Sequence, residues 1–158
     1  KILDCMREQV IKSLKQKGDI GENKDGMDMA LCKYDLNNST IEFAGAYNPL
    51  IHIRNNVINN IKANNQPVAY YRGDMQPFTN HKLKVQSGDM LYVFSDGFAD
   101  QFGGEKGKKY MLGKFKKYLL TISKLPVLEQ KIALENEFKK WKLEYEQVDD
   151  VCVMGIRI

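Results

Sequence analysis

The sequence is short of cysteine, histidine and tryptophan, and it contains no long apolar run. Its three cysteines, Cys5, Cys32 and Cys152, are an odd number, widely spaced and without a Cys-x-x-Cys. That excludes a disulfide scaffold and a zinc ribbon, and it favours a reducing, cytoplasmic setting. The longest apolar stretches, such as Met90 to Phe94, fall far below the roughly 18 residues that span a bilayer, and Lys1 opens no signal-peptide pattern. Membrane contact is not expected of this segment, and any tether is left to an upstream region. A strong charge of one sign is also missing: 24 basic and 20 acidic residues leave a net +4, too mild to announce nucleic acid as a partner.

What is present is the composition of a globular protein. With 43% hydrophobic and 28% charged residues and a negative mean hydropathy, 158 residues suffice for one compact domain, and not for two. The first residue is lysine rather than an initiator methionine, which suggests a piece of something longer.

Hydrophobic spacing divides the chain. Leu3, Met6, Val10 and Leu14 recur at helical intervals from Ile2 to Gln16, and a polar, glycine-bearing loop over 19–26 follows. Between Met27 and Met90 the period falls to two. The runs Met27 to Asp35, Thr40 to Ala46, Leu50 to Arg54, Val57 to Lys62, Lys82 to Val85 and Met90 to Ser95 read as antiparallel strands, with turns at Asn37-Asn38, Asn55-Asn56 and Ser87-Gly88-Asp89. The helical period returns in Tyr110 to Ile122. A second helix opens at Pro126 and runs to about Tyr145, with Leu128, Ile132, Leu134, Phe138, Trp141 and Tyr145 on its buried side. The closing run Val151 to Ile156 is β-branched with little polar alternation, which predicts a central strand. The fold class is α+β, with helices packed on mainly antiparallel sheets.

Two acidic sites stand where a strand meets a loop. At Phe94-Ser95-Asp96-Gly97 a carboxylate leaves a fixed strand end beside a residue that lets the backbone turn sharply. At Val148-Asp149-Asp150-Val151 adjacent carboxylates repel one another unless something positive stands beside them. Oxygen-only donors suit Mg²⁺ or Mn²⁺ rather than zinc. Taken singly, each is better explained by a turn or a strand start.

In conjunction they carry more. The segments Asp25 to Leu31, Phe43 to Leu50, Ser87 to Phe102 and Asp149 to Ile156 together resemble the SpoIIE-type branch of the type 2C (PPM) metal-dependent serine/threonine phosphatases, in that family's order. Gly88-Asp89-Met90-Leu91 running on to Ser95-Asp96-Gly97 is the most specific block. The resemblance implies an αββα phosphatase sandwich and two divalent cations, Mn²⁺ or Mg²⁺, activating a water that attacks the phosphorus of phosphoserine or phosphothreonine. It implies Asp96 and Asp149 as metal ligands, no catalytic residue beyond the metal ligands, Asp150 as an orienting neighbour, and Gly97 keeping the backbone close to the metal. A phosphorylated regulatory protein of the anti-anti-sigma kind is the implied partner.

One departure matters. The family's N-terminal strands and their Asp-x-x-Gly-His-Gly segment, which supplies the bridging aspartate, are not among these residues; His52 and His81 lie in hairpin strands, where a surface or hairpin role is expected. Residues 1–158 therefore read as a single partial domain, expected to bind metal weakly and turn over poorly. The sheet face left bare favours a homodimer. The alternative is a non-catalytic interaction module that keeps the fold. The lysines between Lys106 and Lys124 read as a solvated helix face, with an acidic protein partner as their functional alternative.

Overall fold

The computed structural model describes residues 1–19 and 25–158, so 20–24 of the expected polar loop lie outside the described residues. The chain divides into two units, residues 1–50 with 61–85, and residues 51–60 with 86–158.

The first unit begins with α1 (Ile2–Ser13), which buries Leu3 fully and half-buries Met6 and Val10. Leu14 falls past the helix and is exposed. These residues meet Ala46, Val68 and Phe78, and Asp4 fixes the contact by accepting the Phe78 N–H at 3.0 Å. Strands β1 (Met29–Asp35) and β2 (Thr40–Ala46) pair antiparallel from Met29 opposite Ala46 to Asp35 opposite Thr40. The turn between them takes its positive φ at Ser39, while Asn38 is tied to the Asp35 carboxylate through both its backbone and its side-chain nitrogen.

The second unit holds a four-stranded sheet. It contains β3 (Leu50–Arg54) and β4 (Val57–Ile61), whose turn places both Asn55 and Asn56 at positive φ, as a two-residue hairpin demands. The three-stranded sheet of the first unit is completed by β5 (His81–Lys84), in the order β1-β2-β5; β6 (Met90–Phe94) returns to the four-stranded one. A single helical turn, α2 (Gly97–Asp100), follows, then a hairpin of two short strands, β7 (Phe102–Gly103) and β8 (Lys108–Lys109). Helices α3 (Leu112–Ile122) and α4 (Val127–Lys142) precede the last strand, β9 (Val153–Arg157), and the sheet order is β4-β3-β6-β9.

Its core is Ile51, Ile53, Met90, Tyr92 and Phe94 from the sheet against Phe98, Tyr110, Phe115, Leu119 and Ile122, with each fully buried apolar side chain contributing about 1.5–3 kcal/mol. Phe98 packs tilted against Phe115 at 4.5 Å and meets Tyr110 edge-on at 5.1 Å. α4 offers this core Leu134, Phe138 and Trp141, and buries Gln130, which accepts the Tyr92 hydroxyl at 2.6 Å. The expected buried side of this helix is corrected in part. Leu128, Ile132 and Tyr145 are exposed: the inward stripe steps 130, 134, 138, 141 and the first two lie off it, while Tyr145 falls past the helix, which ends at Lys142.

Two further expectations change. The final strand is an edge strand among the described residues, paired only with β6 from Phe94 opposite Val153 to Met90 opposite Arg157; its apolar run leaves Met154 and Ile156 exposed. His52 does lie in the β3–β4 hairpin, but not at the surface. It is 5% exposed within β3, with Nε2 3.0 Å from Asp89.

Candidate metal centre

Strand β6 is apolar and buried on both faces except at Val93, so its ends are rigidly placed. Asp89 precedes it and Asp96 stands two residues past its end. Asp89 is 1% exposed and bound by Arg54 in a fork, Nε to Oδ1 at 2.8 Å and Nη2 to Oδ2 at 2.6 Å, while the Gln86 N–H donates to Oδ2 at 3.0 Å. His52 approaches Oδ2 without good hydrogen-bond alignment, so Arg54 does most of the holding. Burial, the largest single influence, would raise the Asp89 pKa. The Arg54, Gln86 and His52 contacts together outweigh it and set the carboxyl at about 2.

Asp96 is the opposite case. It is exposed, and its pKa is raised first by partial desolvation, then by the charge of Asp149, then by that of Asp100. Asp149 acts on Asp96 although the two are 53 positions apart in the chain, because the backbone of residues 149 and 150 lies against Gly97, next to Asp96. Asp149 is itself tethered: its Oδ1 accepts the Asp150 N–H at 2.7 Å, and its carbonyl accepts Gln147 Nε2 at 2.9 Å.

The residues on either side of Asp96 hold the two acids together. Ser95 Oγ donates to the Asp150 carbonyl at 2.8 Å and accepts the Cys152 N–H at 2.9 Å. Gly97 packs directly on the same carbonyl: a Cβ there would collide with the Asp150 oxygen and lie 2.9 Å from its carbon. Asp150 thus enters the site through its backbone. Of the four residues singled out in the sequence, Asp96, Gly97, Asp149 and Asp150, all converge here. Ser95 and Asp100 were missed. Asp100 stands four residues after Asp96, one helical turn on, and its N–H donates to the Asp96 carbonyl at 2.9 Å; that spacing was the available signal. Its carboxylate is paired with Lys109 at 2.8 Å.

Hard carboxylate oxygens of like charge are donors of the kind that suits a divalent cation. Among the described residues no group of three or more His, Cys, Asp or Glu side chains is arranged to hold a metal ion. No helix among them is long and apolar enough to cross a membrane.

The sequence matches the family model described as Stage II sporulation protein E (SpoIIE) over residues 3–158. The chain belongs to the SpoIIE family. Solved structures agree on the fold of this SpoIIE chain. The SiaA-PP2C domain of Pseudomonas aeruginosa is 24% identical with a TM-score of 0.87 over 99% of the present chain and 59% of that one. The phosphatase domain of the cell fate determinant SpoIIE from Bacillus subtilis is 17% identical, with a TM-score of 0.63 over 97% and 73%. The PPM Ser-Thr phosphatase MsPP from Mycobacterium smegmatis is 11% identical, with a TM-score of 0.62 over 99% and 72%. The chain thus spans 59% of the SiaA domain's length. No curated protein sequence matches it. Antiparallel sheets with helices, as the sequence predicts, are the fold of these PP2C domains.

Proposed function

We propose that residues 1–158 are part of a single phosphatase domain that removes phosphate from phosphoserine or phosphothreonine of a regulatory protein in bacterial signalling, using Mn²⁺ or Mg²⁺. The observation that carries this reading is the convergence of the Asp96 and Asp149 segments, with Ser95 and Gly97 bound against the 149–150 backbone. Two distant carboxylates held close destabilise the fold unless a cation offsets them, and such an arrangement persists where it serves a site. Asp96 and Asp149 bind; Gly97 and the Asp150 backbone set their separation. A divalent cation there supplies positive charge against the transferring phosphoryl group and acidifies an attacking water.

Seven lysines and no acid stand between Glu105 and Glu129. Lys106, Lys108, Lys117 and Lys124 are exposed and make none of the salt bridges among the described residues, while Tyr110 and Phe115 are buried and unavailable for base stacking. Tyr118 is half-buried with its hydroxyl on the Ala133 carbonyl, and a lysine face whose interleaved aromatics are turned inward supports an acidic protein partner rather than nucleic acid.

Phosphate release from a phosphoserine peptide and from p-nitrophenyl phosphate is the test, in the protein that carries this chain. Activity is expected with Mn²⁺ or Mg²⁺, none in chelator, and none in Asp96→Asn. Undiminished turnover by that variant would refute the assignment. The missing third ligand among the described residues favours a second reading, a non-catalytic interaction module; a full-length protein that binds its partner but is inert with every divalent ion would establish it.

A further inference from the structure

The ladder between β6 and β9 ends in an unusual way. Beyond Phe94 opposite Val153, the Ser95 N–H donates to the Cys152 carbonyl at 3.0 Å, as the next rung requires. The returning donor, the Cys152 N–H, goes instead to Ser95 Oγ at 2.9 Å. The same hydroxyl donates its proton to the Asp150 carbonyl at 2.8 Å. One side chain thus takes hold of the backbone on both sides of Val151. It ends the sheet and turns residues 149 and 150 across Asp96.

We propose that Ser95 is a positioning residue for the cation site, its hydroxyl fixing the distance between the Asp96 and Asp149 carboxylates. This rests on those two acids being cation ligands. The hydroxyl is not arranged as a nucleophile: its proton is given to a carbonyl oxygen, and among the described residues no histidine or carboxylate is hydrogen-bonded to it. Nor is it mainly a stability element, because the groups it binds are exposed and water replaces the lost bonds at small cost. What water does not replace is the geometry. Like-charged Asp96 and Asp149 move apart once the tether is cut, and a cation then has to draw them together again. Threonine keeps the hydroxyl on the same carbon, whereas alanine removes it.

Mn²⁺ titration of the protein that carries this chain, followed by the electron paramagnetic resonance signal of free Mn²⁺, reads the effect without turnover. Ser95→Ala is expected to weaken Mn²⁺ binding about tenfold or more, with the metal-free melting temperature nearly unchanged; Ser95→Thr is expected to stay within about threefold of the parent. Parental affinity in Ser95→Ala, when Asp96→Asn no longer binds, would overturn the role of Ser95 and leave the ligand assignment standing. Equal Mn²⁺ affinity in the parent and Asp96→Asn would overturn the ligand assignment itself. A failure of Ser95→Ala to fold that Ser95→Thr does not share would make the hydroxyl a structural bond, and that too would overturn the proposal.

Discussion

Strand β6 carries an aspartate near each end, and the two live in opposite surroundings. Asp89 is sealed from water, forked by Arg54 and held near pKa 2. Asp96, seven residues later, is open to solvent, within reach of the charges of Asp149 and Asp100, and its pKa is raised. A carboxylate whose lone pairs are filled by the protein serves the fold. One set among charges of its own sign is, in the reading proposed above, held for a cation from outside.

The largest effect that separates the two comes from the satisfied one. Asp89→Ala removes the forked contact with Arg54 and cuts the tie between β3 and the turn before β6, so denaturant titration is expected to show a loss of about 3 kcal/mol. Its pH dependence has a definite sign. A carboxyl held at about 2 in the fold, against about 3.9 unfolded, contributes stability fully present above pH 4 and lost as pH falls through 2, roughly 2–3 kcal/mol in all. That acid limb is expected to flatten in Asp89→Asn. A limb of unchanged depth would place the acid-sensitive group elsewhere.

Gly97→Ala comes next. The added methyl meets the Asp150 carbonyl, so the 149–150 segment has to move, at about 1–3 kcal/mol by thermal unfolding and with weakened Mn²⁺ binding. Unaltered Mn²⁺ affinity in that variant would show that the close approach is not needed to set the ligands.

Much of this contrast is legible in the sequence, though unevenly. Thr40 to Ala46 and Leu50 to Arg54 are found at their bounds because period-two runs end there in asparagine or polar turns. The hairpin of β7 and β8 escapes, since two residues per strand form no period; it shows only in space, where the Gly104 N–H donates to the Trp141 carbonyl at 2.8 Å. The closing strand misleads because Val151 to Ile156 looks like a strand covered on both sides, and periodicity does not say which side has a neighbour. Asp96 and Asp149 are visible as strand-end acids beside a loop. Asp89 in Ser87-Gly88-Asp89 reads as a turn residue, because its partner Arg54 lies 35 positions away. Ser95 stays hidden for a related reason: a hydroxyl that binds backbone carries no mark of its partner's identity.

The smallest effect is the most direct test of the central claim, that Asp96 and Asp149 are held for a cation. A carboxyl whose folded pKa is raised favours the fold at low pH and opposes it once ionised, so Asp96→Asn is expected to melt slightly higher than the parent in chelator at pH 7, by about 1–2 °C. Saturating Mn²⁺ is expected to reverse the order by stabilising the parent alone. A melting temperature that Mn²⁺ raises equally in both proteins, or in neither, would contradict the account.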